Sequence, residues 1–138
     1  MTLTDEQQQF VDSLRSQKYT LHQLRMQAQG LPRSKRVGAL LHIFTDSNNY
    51  NDQQTAGRLL LDLKPTCPHP LPDVLDAIAP NWNVSVEELV YYLSDVFGPV
   101  MVVDTALELA SKYDDDDRRN RALSTVAWWL KRRVEDGG

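Results

Sequence analysis

Histidines, cysteine, acids and hydroxyls are the side chains on which any chemistry of this chain would rest. A zinc site needs three or four His, Cys or carboxylate ligands at clustered spacing, such as i and i+4 on one helix. His22, His42 and His69 are 20 and 27 residues apart, and Cys67 with His69 is one isolated pair. Neither a metal nor a cofactor is expected from this set. The run Asp114 to Asp117 offers four adjacent carboxylates, whereas a calcium loop spaces its ligands with other residues and turns on a glycine. These acids are better placed to stabilise a helix N-terminus, by a few tenths to about 1 kcal/mol. Asp114 and Asp115 are also candidates for contact with a basic partner.

Catalytic patterns are equally sparse. Glu87 and Glu88 are adjacent and diverge by about 100° on a helix, so they do not face one substrate. Ser13, Ser34, Ser94 and Ser124 lack the Gly-x-Ser-x-Gly context of a nucleophile elbow. Gly30, Gly38, Gly57 and Gly98 compose no phosphate loop. Asn83-Val84-Ser85 matches a glycosylation sequon but more simply supplies a helix cap. The expectation is a chain that is not an enzyme.

The aromatics say more. Tyr91-Tyr92 and Trp128-Trp129 are neighbouring pairs in helical segments. One member of each pair points at the core and the other lies at its edge or outside. With Leu89, Leu93, Val126 and Leu130 marking the buried arcs, Tyr92 and Trp128 are the members expected outside. Together with Trp82, Glu87, Glu88, Asp114 and Asp115 they form the predicted partner-binding set, since exposed aromatics are enriched where proteins bind.

The elements that must position these residues are helices. Apolar residues recur at i, i+3, i+4 and i+7 almost throughout, with no strand alternation. Capping-box pairs Thr4/Gln7 and Thr20/Gln23 open two helices, Asp5 to Gln17 and Leu21 to Gly30. A third starts near Ser34 and carries Val37, Leu40, Leu41 and Phe44. A fourth starts near Asp52 and carries Ala56, Leu59, Leu60 and Leu63. Pro65, Pro68, Pro70 and Pro72 forbid helix from Lys64 to Pro72, a stiff link and the one candidate internal hinge. A short fifth helix holds Leu71, Val74, Leu75 and Ile78. A sixth opens at Ser85 with Glu88 as box partner. The seventh begins at Pro99 and buries Val103, Ala106, Leu107 and Ala110. The eighth runs from about Asp116 to Val134.

These 138 residues suit one domain, all-α, with about eight helices in four antiparallel hairpins. The hairpin starts, near residues 4, 34, 71 and 100, fall close to the repeat length of helical solenoids. In two second helices an acid is followed by a small residue and then leucine: Asp52 before Ala56 and Leu59-Leu60, and Asp117 before Ala122-Leu123. In this the chain resembles HEAT- and armadillo-like helical repeats, although no proline lies in the first or third helix, where HEAT units often carry one. The expected architecture is a HEAT-like solenoid or a compact helical bundle.

The net charge is −4, unevenly spread. Ser13 to Thr45 holds six cations and no acid, Leu71 to Asp117 holds eleven acids and one cation, and Arg118 to Val134 holds six cations and no acid. Such blocks either pair within the fold or present a dipole to a partner. No apolar run reaches the ~18–20 residues that span a bilayer, no signal pattern opens the chain, and a lone cysteine forms no internal disulfide. A cytoplasmic location is expected. The leading functional expectation is a protein-binding module, an adaptor or an inhibitor of the immunity-protein kind acting on a basic partner. The alternative is a nucleic-acid-associated repeat protein using Arg15 to Arg36 or Arg118 to Arg133.

Overall fold

The computed structural model describes residues 2–137, and the side chains of residues 2–132. Eight helices follow one another: α1 (Asp5–Ser16), α2 (Leu21–Gly30), α3 (Arg33–His42), α4 (Tyr50–Leu63), α5 (Leu71–Ile78), α6 (Glu88–Phe97), α7 (Pro99–Ala110) and α8 (Arg118–Gly137). No strand occurs among the described residues. No helix there is long and apolar enough to cross a membrane.

Local chemistry explains most boundaries. Thr4 and Thr20 each accept from the backbone N–H three residues on, and Gln7 and Gln23 reach back to the cap N–H, forming both expected capping boxes. Asn49 caps α4 through the N–H of Asp52, two residues ahead of the expected start. Gly98 joins α6 to α7 at φ 90°, a conformation a side chain would strain. The sixth helix departs from expectation. Asn83 Oδ1 accepts the Ser85 N–H at 3.1 Å in a local turn, so the helix begins at Glu88 and the Ser85/Glu88 box does not form.

The helices pack in two interleaved series. α1 lies on α3 and α5 on α7, while α2 lies on α4, α4 on α6 and α6 on α8; α1–α2, α3–α4 and α7–α8 also pack, the last most extensively. Except for α3 and α5, each helix therefore packs on the helix two along, as stacked helix pairs do. Side-chain links follow the same period. Arg15 pairs with Asp46, Gln17 donates to Asp52 across 35 residues, Arg25 pairs with Asp62, and Asn81 donates to the Thr45 carbonyl across 36. Tyr113 donates to Asp76 across 37 residues and Arg118 to the Trp82 carbonyl across 36. Corresponding positions of successive pairs thus sit side by side.

One apolar core runs from Phe10 to Leu130 and includes Phe44, Leu60, Leu75, Leu93 and Leu123. A buried amide stitches the connections together. Gln53 donates to the carbonyls of Ser47 (2.7 Å) and Asn81 (2.9 Å) and accepts from Asn83 N (2.7 Å). The proline link runs from Lys64 to Pro70, because Pro72 falls in the first turn of α5, where proline is favoured. Pro65 is buried, and the Tyr92 hydroxyl donates to its carbonyl, tethering the link to α6. Two core expectations shift: α7 buries Val102 with Ala106 and Ala110 while Val103 is half-buried and Leu107 exposed, and Leu63 is only half-buried.

Candidate functional site

The expected binding set divides on burial. Trp82 is fully buried, its Nε1 donating to the Val86 carbonyl at 3.0 Å. Tyr92 is also fully buried, so the expectation that it lies outside is corrected. Its hydroxyl meets the Pro65 carbonyl, a partner 27 residues away, and its place three residues after Leu89 puts it on the buried arc of α6. Tyr91 is the half-buried member of that pair. Glu88 accepts from Gln54 Nε2 where α4 meets α6, which is a packing role. Glu87 is half-buried, whereas Asp114 and Asp115 are exposed in the α7–α8 connection. Trp128 is 51% exposed, as the α8 periodicity predicts.

Trp128 is held in place despite its exposure. Its ring meets Trp129 edge-on with centroids 4.9 Å apart, and the Arg132 guanidinium lies 5.3 Å from its centroid. Trp129 is fixed in turn, Nε1 donating to the Val84 carbonyl at 3.0 Å. That bond ties α8 to the 79–87 connection and brings the exposed Val84 into the neighbourhood. A positioned indole loses less rotamer freedom on binding than a mobile one. The charge beside it in sequence is cationic, from Lys131 and Arg132, in keeping with the basic block that begins at Arg118.

The partner helix adds an apolar stripe. On α7, Val100 (72% exposed), Met101 (57%) and Leu107 (40%) stand clear of the core. Val100, Asp104 and Leu107 are spaced i, i+4, i+7 and share a face, with Met101 and Glu108 beside them. Asp104 and Glu108 are exposed too, so the stripe is apolar with an acidic edge. α7 and α8 form the last helix pair, packed on α5 and α6. Sequence reasoning missed Val100 and Met101. The signal was present: Pro99 to Ala110 is apolar over a wider arc than one core-facing side can bury.

Several titratable groups are tied into local hydrogen bonds and pairs. Asp117 accepts from Arg119 N at 2.8 Å and pairs with its guanidinium at 2.8 Å, and those hydrogen bonds hold its carboxyl at about 2. Arg119 also covers the Tyr113 ring at 4.1 Å, and Tyr113, donating to Asp76 at 2.6 Å, has its phenol raised by that bond. Burial pushes the Tyr92 phenol and the half-buried Cys67 thiol upward. His42 lies 3.3 Å from Asp46 in an i,i+4 pair. Among the described residues no three His, Cys, Asp or Glu side chains converge as a metal site would need.

Comparison of the chain with family models, with curated proteins and with solved structures gives no match.

Proposed function

We propose that the chain is a non-enzymatic protein-binding module that docks a partner through the exposed flank of α7 and α8. One observation carries the reading. Of the eight large hydrophobic side chains exposed among the described residues, four are on this last helix pair: Val100, Met101, Leu107 and Trp128. Scattered singly, such residues mean little. Gathered on one pair, with an indole braced by a second indole and an arginine, they supply the aromatic and aliphatic anchors that dominate interface energetics.

The partner proposed is a protein with a basic rim. Asp104 and Glu108 edge the α7 stripe, and Asp114 to Asp116 are exposed in the connection that follows. Such acids speed encounter with a basic surface while the desolvated apolar centre holds it. An adaptor or an inhibitor of the immunity kind, working in the cytoplasm, fits this layout. A HEAT-like relationship belongs to the same proposal, supported by the packing of α1 on α3, α2 on α4, α4 on α6, α5 on α7 and α6 on α8. The nucleic-acid alternative has less to draw on, because four of its cations are engaged internally. Arg15 and Arg25 pair with Asp46 and Asp62, Arg118 donates to two backbone carbonyls, and Arg119 pairs with Asp117. The Arg133 side chain lies outside the described residues.

Affinity capture from extract of the source organism, followed by hydroxyl-radical footprinting of the purified complex, tests this. Trp128, Met101 and Leu107 should be protected, and Met26, 58% exposed on α2, should not. A stable complex that leaves the α7–α8 flank as reactive as in the free protein contradicts the proposal.

A further inference from the structure

A cleft of about 450 Å³ opens where the start of α3 faces the proline link. Its size lies within the ~300–1,000 Å³ of small-molecule sites. Three cations line it, Arg33, Arg36 and Lys64, together with the hydroxyl residues Ser34 and Thr66. No acid lines it, in a chain whose net charge is −4. We infer that this cleft binds the phosphate group of a small phosphorylated ligand.

The cations retain capacity for such a group. Arg36 is braced by donating to the carbonyls of Leu31 at 3.1 Å and Gln29 at 2.6 Å. Neither acceptor carries charge, so the guanidinium keeps its full positive charge and further N–H donors. Lys64 meets Asp95 only at 3.8 Å and is 64% exposed, a loose pair worth little. Among the described residues Arg33 makes no ion pair within 4.0 Å. The backbone adds to the attraction. α3 begins at Arg33 with no acid in its first turn, and Pro32 provides no side-chain cap. The positive end of the helix therefore faces the same space uncompensated.

The opposite wall selects what the anion is attached to. Leu63, Pro65 and Pro68 line it, and the buried, tethered Pro65 makes that wall stiff. A phosphate seated at Arg33, Ser34 and Lys64 leaves its organic substituent against this apolar surface. The cleft suits one small phosphomonoester rather than the row of phosphates that a nucleic acid presents. It involves none of the residues of the α7–α8 flank.

Calorimetric titration of the whole protein at constant ionic strength, with inorganic phosphate and with phenyl phosphate as probes, tests the assignment. Saturable binding with Kd below about 1 mM is expected. Phenyl phosphate binding more tightly than inorganic phosphate identifies an organic phosphate ester as the ligand class; equal affinities identify free phosphate, and both outcomes support the site. The Arg33→Gln/Lys64→Gln variant should weaken binding at least about tenfold, because charge-assisted hydrogen bonds to phosphate are lost. Ser34→Glu guards against misfolding as an explanation. An acid in the first turn of α3 favours the helix while repelling the anion, so the thermal midpoint should hold or rise as binding disappears. Absence of saturable binding to both probes overturns the inference. So does binding that survives both variants, or saturable binding confined to an oligonucleotide.

Discussion

Gly57 sets how closely α4 approaches α6, and replacing it with alanine gives a sharp test of the packing. A Cβ added there would lie 2.9 Å from Glu88 Cβ, 3.3 Å from Val86 Cγ1 and 3.7 Å from Leu89 N. Optimal carbon–carbon separation is about 3.5–4.0 Å, and a Cβ is fixed to its backbone, so no rotamer change at Glu88 relieves the clash. α6 must move off α4 by several tenths of an ångström, disturbing the Gln54–Glu88 hydrogen bond. Overpacking of this kind is destabilising by about 1–3 kcal/mol. Against it stands the helix preference for Ala over Gly, about 1 kcal/mol. The expected net loss is about 0–2 kcal/mol. At the middle of that range, about 1 kcal/mol, urea denaturation with an m-value of about 1–3 kcal/mol per molar would register a midpoint drop of roughly 0.3–1 molar. Gly30→Ala is the matched control, because nothing lies within 4 Å of its added Cβ. It should be neutral or gain up to about 1 kcal/mol. If Gly57→Ala gained as much stability as Gly30→Ala, the close α4–α6 approach would be refuted.

Leu60 is fully buried, and Leu60→Ala should lower stability by about 2–5 kcal/mol in the same assay; an unchanged midpoint would remove it from the core. Asp117 is lowered from 3.8 to about 2 in the folded chain. Its contribution is therefore complete above pH ~4 and is lost as pH falls towards 2. The stability difference between the unmodified protein and Asp117→Asn should close over that window, and a difference that instead widened would contradict the sign. The Cys67 thiol is raised by burial and donates to the His69 carbonyl at 3.6 Å, so iodoacetamide should modify it more slowly than a free thiol at pH 8, and at the ordinary rate in urea. Equal rates in both conditions would rule out protection by the fold.

Sequence revealed the helices and part of the surface, for identifiable reasons. Thr4/Gln7 and Thr20/Gln23 are self-contained signals within four residues, and both operate as read. Ser85/Glu88 has the same form and fails because each member has a competitor: Asn83 takes the Ser85 N–H and Gln54 takes the Glu88 carboxylate. Gln54 is 34 residues distant, beyond any local pattern. Of the two aromatic pairs, the one clear apolar arc of α8 exposes Trp128 correctly. Tyr92 stands three residues after Leu89, on the buried arc of α6, so helix phase places it inside and leaves Tyr91 at the edge, the reverse of the expectation. On α7, apolar residues nearly encircle the helix, and the inferred phase slips from Val102 to Val103. The basic cleft was illegible because Arg33 and Lys64 meet only once the proline link folds across the start of α3.

The central claim is that Trp128 is a docking anchor and not a structural residue. The direct measurement is the Kd of the captured partner for the unmodified protein and for Trp128→Ala, with thermal melting of both chains alongside. Trp128 is half-exposed, so the variant should keep its melting midpoint to within the roughly 2–4 °C that 1 kcal/mol is worth in a domain somewhat larger than this one. Loss of an interface anchor is typically worth 2 kcal/mol or more, about a thirtyfold weakening. A folded variant with Kd raised about thirtyfold is the predicted result. A folded variant with unchanged Kd would contradict the claim, as would a variant whose melting collapses.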